Sequence, residues 1–199
     1  VKSFNIMLPE LVVASANPDK VKEISEVLDG LVTLIPRPEE LPEVVEDGDT
    51  LEDNARLKAK AILEATGIAA LSDDTGLSVD ALGGDPGVHS ARYSSESASY
   101  YDNVEKLLKN LEGIPPRLRT ARFQTVAMVC YPDGTEVIAT GVVEGTIAES
   151  RKGSEGFGYD PVFIPYEGRG LSFAEMGEEK HRISHRGRAL RNLVEMLSS

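Results

Sequence analysis

Asp73 and Asp74 stand side by side at the end of an apolar run, Ile68 to Leu71, with Thr75 beside them and Asp80 close behind. Carboxylates at the carboxyl end of an apolar strand lie where open α/β sheets place their ligand crevices. A pair of them can hold a divalent cation through oxygen ligands, or orient a water for attack. Asp is also a residue of turns and helix starts. Taken alone, the pair fits both uses. The run Gly83-Gly-Asp-Pro-Gly87 behind it suits neither a helix nor an interior strand, and it is assigned no chemistry.

Other stretches offer complementary groups. Ser15-Ala16-Asn17-Pro18-Asp19-Lys20 turns from a strand into a helix, with Pro18 in the first turn, where its missing N–H is no loss. The free N–H groups and positive dipole end of such a helix make an anion site. Ser15 and Asn17 add neutral donors there, and Lys20 adds charge; a plain capped helix with a surface lysine is the alternative. Lys58 and Lys60 ride on a later helix, where lysines are ordinarily solvated. Glu46, Asp47 and Asp49 precede that helix. Either they serve its dipole, or one of them joins Asp73 and Asp74 around a metal. In the loop Ser150 to Pro161, glycines flank Phe157, so a flat ligand can approach ring and backbone together. Phe157 and Tyr159 could stack a base and Asp160 could bond its polar edge, although an aromatic tucked under a glycine loop is the commoner arrangement. The segment Glu178 to Arg188 is net basic and carries Lys180, His185 and Arg186 into a last helix, which Ser184 can cap.

The chain has 199 residues, 41% of them hydrophobic and 27% charged, with a formal net charge of −12. That composition supports one substantial globular core. The overall field repels nucleic acid and anionic membrane, so neither is expected as a partner. A polyanion such as a nucleotide therefore requires a local basic pocket or a bound metal, and the 178–188 segment supplies a candidate. The single cysteine, Cys130, precludes a disulfide framework and lies in an apolar run as an inert thiol. No apolar run approaches the ~18 residues of a membrane span and no signal-peptide pattern opens the chain, so a cytoplasmic location is expected. The phosphate-loop and dinucleotide glycine patterns are both absent.

These groups need a scaffold. Residues 1–10 read as a short extension before the strand Leu11–Ala14. A helix with the stripe Val21, Ile24, Val27 and Leu28 follows, ending near Gly30. After a strand over Leu31–Ile35 and a proline-rich link, Thr50 with Asp53 resembles a capping box, opening a helix that Gly67 ends. A further helix spans Asp102–Leu111. The basic stretch Arg117–Arg122 lacks interleaved aromatics and reads as an exposed strand start rather than a nucleic-acid patch. Phe123–Tyr131 and Glu136–Val143 make a hairpin about Pro132–Thr135, and Gly145–Ala148 continues the β-rich part. A strand over Val162–Ile164 precedes the final helix, whose stripe is Leu190, Leu193, Val194 and Leu197. The meander makes the sheet mixed rather than wholly parallel.

Five blocks, in order, carry a resemblance: Ser15–Lys20, Glu46–Ala59, Ser72–Tyr93, Gly156–Pro161 and Lys180–Leu190. Together they resemble the inosine triphosphate pyrophosphatase family, also called Ham1-like, in its bacterial and archaeal branch. The resemblance implies a single α/β domain over 1–199, with a long mixed central sheet flanked by helices and two lobes enclosing an active-site cleft. It implies hydrolysis of deaminated purine nucleoside triphosphates (ITP, XTP and their deoxy forms) to the monophosphate and pyrophosphate, cleansing the nucleotide pool, with Mg²⁺ and usually as a homodimer. Carried over position by position, Ser15, Asn17 and Lys20, within the stretch Ser15, Ala16, Asn17, Pro18, Asp19 and Lys20, would bind the triphosphate, with Lys58 as a second cation. Glu46 and Asp74 would hold Mg²⁺, and Asp74 would also be the base for the attacking water. Glu43, Asp47 or Asp73 stands near enough to replace Glu46. Thr75 would touch the substrate. Phe157 would stack on the purine beside Gly158, Tyr159 and Asp160, and Lys180, His185 and Arg186 would close over base and phosphates. Asp73 would only shape the turn or tune its neighbour. Thr75 and Ser15 exchange the family's usual hydroxyl residues for each other's type, while Leu51 and His181 depart from a usual Phe and Asn. A Maf-like pyrophosphatase of different base specificity and a non-catalytic nucleotide sensor are the alternative readings.

Overall fold

The computed structural model describes residues 8–198, so most of the expected N-terminal extension lies outside the described residues. The chain first alternates strand and helix: β1 (Glu10–Val13), α1 (Pro18–Leu28), β2 (Thr33–Ile35), α2 (Leu51–Thr66) and β3 (Ala70–Val79). There follow β4 (Pro86–Gly87), α3 (Tyr100–Asn110), β5 (Thr120–Cys130), β6 (Glu136–Ile147), β7 (Phe163–Pro165), α4 (Lys180–Ile183) and α5 (His185–Leu197). β1 pairs in parallel with β2 and with β3, while β3, β5, β6 and β7 are antiparallel neighbours. The result is a mixed seven-stranded sheet in the order β2-β1-β3-β5-β6-β7, with β4 on β3.

Side chains alternate across a strand, and β3 sorts its residues accordingly. Leu71 packs with Ile24 and Leu28 of α1 and with Leu190 and Leu193 of α5. Ala70 faces the other way, in a cluster with Ala55, Ala59 and Ile62 of α2. A third cluster joins Leu77 and Val79 to Val104 and Leu107 of α3 and to Phe123, Val143, Phe163 and Phe173, forming the second lobe.

The helix ends follow their local chemistry. Thr50 accepts the Asp53 N–H to start α2, and Gly67 closes it at φ 69°. α3 starts two residues earlier than expected, because Ser99 and Asp102 form a reciprocal capping box. β2 starts at Thr33 rather than Leu31, since the Leu31 and Val32 N–H groups still bond back to the Leu28 carbonyl. Arg119 is not an exposed strand residue. It is buried, and its guanidinium donates to the carbonyls of Leu111, Ile114 and Ala148.

β3 is longer than the apolar run Ile68 to Leu71 suggests. The strand does not break at Leu71 but runs on through Asp73, Asp74 and Thr75 to Val79, paired with β5 along its whole length. On its other edge the pairing is interrupted. β1 reaches only Leu71, where the Ala14 N–H makes the last link, and β4 meets β3 only at Leu77 and Ser78. Ser72 to Gly76 therefore border a notch. With β2 on one side of β1 and β3 on the other, the notch lies at the switch point where open α/β sheets bind ligands. α5 approaches β6 closely enough that a Cβ on Gly141 would overlap the His185 carbonyl oxygen and the Ala189 nitrogen. Glycine at 141 thus lets the start of α5 reach the notch. No helix among the described residues is long and apolar enough to cross a membrane.

Candidate active site

Every residue expected at the site except Pro18 and Asp19 lines one cleft at this notch. Those two lie in the first turn of α1 beside it. Asn17 caps that helix, its Oδ1 accepting the N–H groups of Asp19 (2.9 Å) and Lys20 (3.3 Å). Ser15 Oγ accepts the Asn17 N–H at 3.2 Å. Lys20 lies 3.6 Å from Asp73, with its side chain only 18% exposed. Burial lowers its pKa, with Lys58 and Arg186 pushing the same way against the pull of Asp73 and Asp74. A cation held this way gains from an arriving anion.

Asp74 projects to the α2 face of β3. Its Oδ1 accepts from Lys58 Nζ at 3.0 Å, and Glu46 reaches the same ammonium at 3.1 Å. Burial raises the Asp74 pKa and Glu46 adds to the effect, while Lys58 and Lys20 work against it. For Lys58, burial opposes the charge, but Asp74, Glu46 and Asp73 outweigh it and raise the pKa. Glu46 lies on a loop held by two residues that its sequence context does not advertise. Asn54 Oδ1 accepts the Gly48 N–H at 2.8 Å, and Arg92 donates to the Glu46 carbonyl at 2.6 Å.

Two carboxylates that converge on one ammonium also suit a hard divalent cation, which takes oxygen ligands. Glu43 lines the cleft as well, whereas Asp47 does not. Among the described residues no group of three or more His, Cys, Asp or Glu is arranged to hold a metal. Glu46 and Asp74 would be two oxygen ligands, which fits Mg²⁺, an ion that usually takes one or two carboxylates beside water and substrate phosphates.

Asp73 shapes no turn, because it lies inside β3. It projects to the opposite face, where Arg186 Nε donates to it at 3.1 Å. Burial opposes its charge, but Lys20, Arg186 and Lys58 prevail and hold its carboxyl well below the usual range. Arg186 in turn bonds Glu23 of α1, and Nη2 reaches Thr75 Oγ1 at 3.2 Å. Thr75 Oγ1 lies 2.6 Å from the Thr125 hydroxyl. Glu23 also holds Lys180, which donates to Asp160 at 2.7 Å. Asp160 accepts the Phe157 N–H at 2.9 Å. An ion-pair relay thus runs from Asp73 through Arg186, Glu23, Lys180 and Asp160 to the Phe157 backbone.

Asp160 thus holds Lys180 and the Phe157 backbone through Oδ2, and it lines the cleft. Tyr159 is turned inward: it is buried, packs with Phe123, and donates to the Ser90 carbonyl at 2.8 Å. Phe157 remains half-buried in the cleft, with Lys180 Nζ 5.1 Å and the Arg186 guanidinium 5.4 Å from its ring centre. His185 stacks on Phe123 at 4.3 Å, and its Nδ1 has no hydrogen-bond partner. Burial, with Arg186 and Lys180 nearby, pushes its pKa well below the ordinary value and keeps it neutral. The basic segment expected to be one patch is divided. Lys180 and Arg186 enter the cleft, while His181 pairs with Glu26 and Arg188 with Glu167 outside it.

Glu23 was not legible as a site residue, yet a signal exists. It falls in the helical row Lys20, Glu23, Val27, an acid on the face that packs inward.

The Ham1 family sequence profile matches residues 11–196. The chain belongs to the Ham1 family. It is 47% identical to the dITP/XTP pyrophosphatase of Geobacter sulfurreducens, covering 96% of this chain and 97% of that protein. Identity to the dITP/XTP pyrophosphatase of Bacillus subtilis is 41%, over 98% of this chain and all of the relative (100%). Among solved structures, the HAM1 protein of Coxiella burnetii superposes with a TM-score of 0.85 at 38% identity, covering 96% of this chain and 99% of that one. The Staphylococcus aureus Ham1 protein gives 0.83 at 37% identity, covering 95% and 98%. These similarities agree with the mixed α/β fold, and they lend no support to a Maf-like enzyme or a non-catalytic sensor.

Proposed function

We propose that this chain hydrolyses deaminated purine nucleoside triphosphates, ITP and XTP with their deoxy forms, to the monophosphate and pyrophosphate, clearing them from the nucleotide pool. The observation that carries the reading is a single cleft with cations at a helix start, a buried carboxylate of raised pKa, and an aromatic ring backed by fixed donors. Full-length relatives named dITP/XTP pyrophosphatase support the substrate class.

Lys20 and Lys58, with the positive dipole end of α1, would screen the phosphate oxygens, which phosphoryl transfer needs neutralised. Asp74 would accept the proton of the attacking water, a task that its raised pKa favours. Glu46 and Asp74 would hold Mg²⁺, which when bound supplies further neutralisation and orientation. Phe157 would stack on the purine. Lys180 spends two of its three N–H donors on Glu23 and Asp160, and Arg186 spends three of five on Asp73, Glu23 and Thr75. The remaining donors suit the 6-keto oxygen of hypoxanthine or xanthine, whereas adenine's amino group would leave them unpaired. Such a site can discriminate by roughly 10⁴-fold. The same reading carries a cytoplasmic location and a homodimer.

The test is pyrophosphate release from inosine, xanthosine, guanosine, adenosine and thymidine triphosphates, with and without Mg²⁺. The expected result is a kcat/KM for ITP and XTP at least about 100-fold above that for ATP, lost on chelation. Equal turnover of ATP, or no release from any of the five, would overturn the reading.

A further inference from the structure

Tyr100, a residue so far without a role, touches both ends of the cleft. It is the first residue of α3 in the second lobe, and it lines the cleft. Its hydroxyl accepts from Asn17 Nδ2 at 2.9 Å and donates to Asp19 Oδ2 at 3.0 Å. Its ring centre lies 5.7 Å from that of Phe157. The same turn of α3 is fastened to the Phe157 loop by Arg151, whose guanidinium lies 4.1 Å over the Tyr101 ring and bonds Glu105 and the Tyr101 carbonyl. One helical turn therefore ties the start of α1 to the aromatic loop across the cleft.

Two consequences follow for a polyphosphate. Asn17 Oδ1 is committed to the helix N–H groups, so Nδ2 faces Tyr100, spending one of its two N–H donors and leaving the other. Asp19 is the only acidic residue between Ser15 and Lys20, and its charge opposes that of a phosphate. Tyr100 draws that carboxylate toward α3, and Asp19 does not line the cleft.

We propose that Tyr100 is a positioning residue for the nucleoside triphosphate: its hydroxyl sets the Asn17 amide and restrains the Asp19 carboxylate, while its ring backs Phe157. This rests on the proposed reading of the cleft and extends it to the second lobe. Burial raises the pKa of the phenol, with Asp19 adding to the effect against Asn17, so the hydroxyl keeps its proton at neutral pH.

The test compares wild type with Tyr100→Phe, Tyr100→Ala and the double variant Tyr100→Phe/Asp19→Asn, using ITP turnover and competitive inhibition by inorganic pyrophosphate. Tyr100→Phe should raise KM for ITP and Ki for pyrophosphate by the same factor, about threefold to tenfold, with kcat within about twofold. Adding Asp19→Asn should bring both constants back toward wild type. Tyr100→Ala should raise KM further than Tyr100→Phe without a further rise in the pyrophosphate Ki, because only the nucleotide uses the ring. Unchanged constants in Tyr100→Phe, or no recovery in the double variant, would overturn the proposal. Lys20→Ala separates the two levels. If it leaves the pyrophosphate Ki unchanged, the phosphate assignment itself fails; if it raises Ki while Tyr100→Phe does not, only the Tyr100 role fails.

Discussion

Asp73 and Asp74 are the same residue type, one position apart on one strand, and both are buried, at 1% and 4% exposure. Their pKa values nevertheless move in opposite directions. The difference comes from the pleat. Asp73 faces α1 and α5, where Lys20 and Arg186 converge on it. Asp74 faces α2, where the one close ammonium, Lys58, is shared with a second carboxylate, Glu46. Burial penalises both charges, but only on the Asp73 face do the cations prevail. One face of β3 is thereby a fixed ion-pair relay that sets the base-side groups. The other keeps a carboxylate more basic than usual, open to the cleft. On the proposed reading, holding and reacting are divided between two sides of a single strand.

The sharpest way to break this division is Asp73→Asn. It leaves the buried Arg186 guanidinium short of a counter-charge, which costs about 3 kcal/mol or more. For a chain this size, Tm should fall by roughly 6–12 °C in a thermal melt. Asp74→Asn should lower Tm by less, because buried Lys58 keeps Glu46 at 3.1 Å as a counter-charge and the raised Asp74 pKa means that its own charge is costly when ionised. Equal losses of stability in the two variants would erase the distinction. Next in size, Phe157→Ala removes a stacking surface worth ~1–3 kcal/mol per base. KM for ITP should rise about fivefold to a hundredfold while kcat changes little, and an unchanged KM would remove the stacking role.

The smallest effect concerns His185 on the relay side. Its folded pKa lies well below 6.5, so the unfolded chain takes up a proton that the folded chain does not. Stability is therefore intact above about pH 6.5 and falls as the pH drops from there toward the folded pKa. Melts at pH 7.5 and 5.5 should show a smaller acid loss in His185→Gln than in wild type, and identical losses would contradict a neutral buried imidazole.

Much of the scaffold could be read from the chain because it is locally encoded. The Thr50 cap, the Gly67 stop and the 132–135 hairpin turn each follow from residues a few positions apart. The ordered motif blocks likewise contain most of the residues that line the cleft. What escaped is set by partners far along the chain. Asp73 looked like a turn residue because nothing nearby reveals Arg186, 113 positions on. Glu23 looked like an ordinary helical acid because Lys180 and Arg186 lie 157 and 163 positions away. The inward turn of Tyr159 escapes spacing as well, because its partner Ser90 lies 69 positions away. Local pattern names the residues of the cleft; long-range pairing sets which of their charges are held in ion pairs.

The central claim is that Asp74, rather than its neighbour, takes the proton of the attacking water. It is tested most directly by single-turnover and steady-state pyrophosphate release from ITP by Asp74→Asn, with folding checked by the melt above. The predicted result is a fall in kcat of about 100-fold or more in a folded protein. Retention of more than about a tenth of wild-type kcat would contradict it.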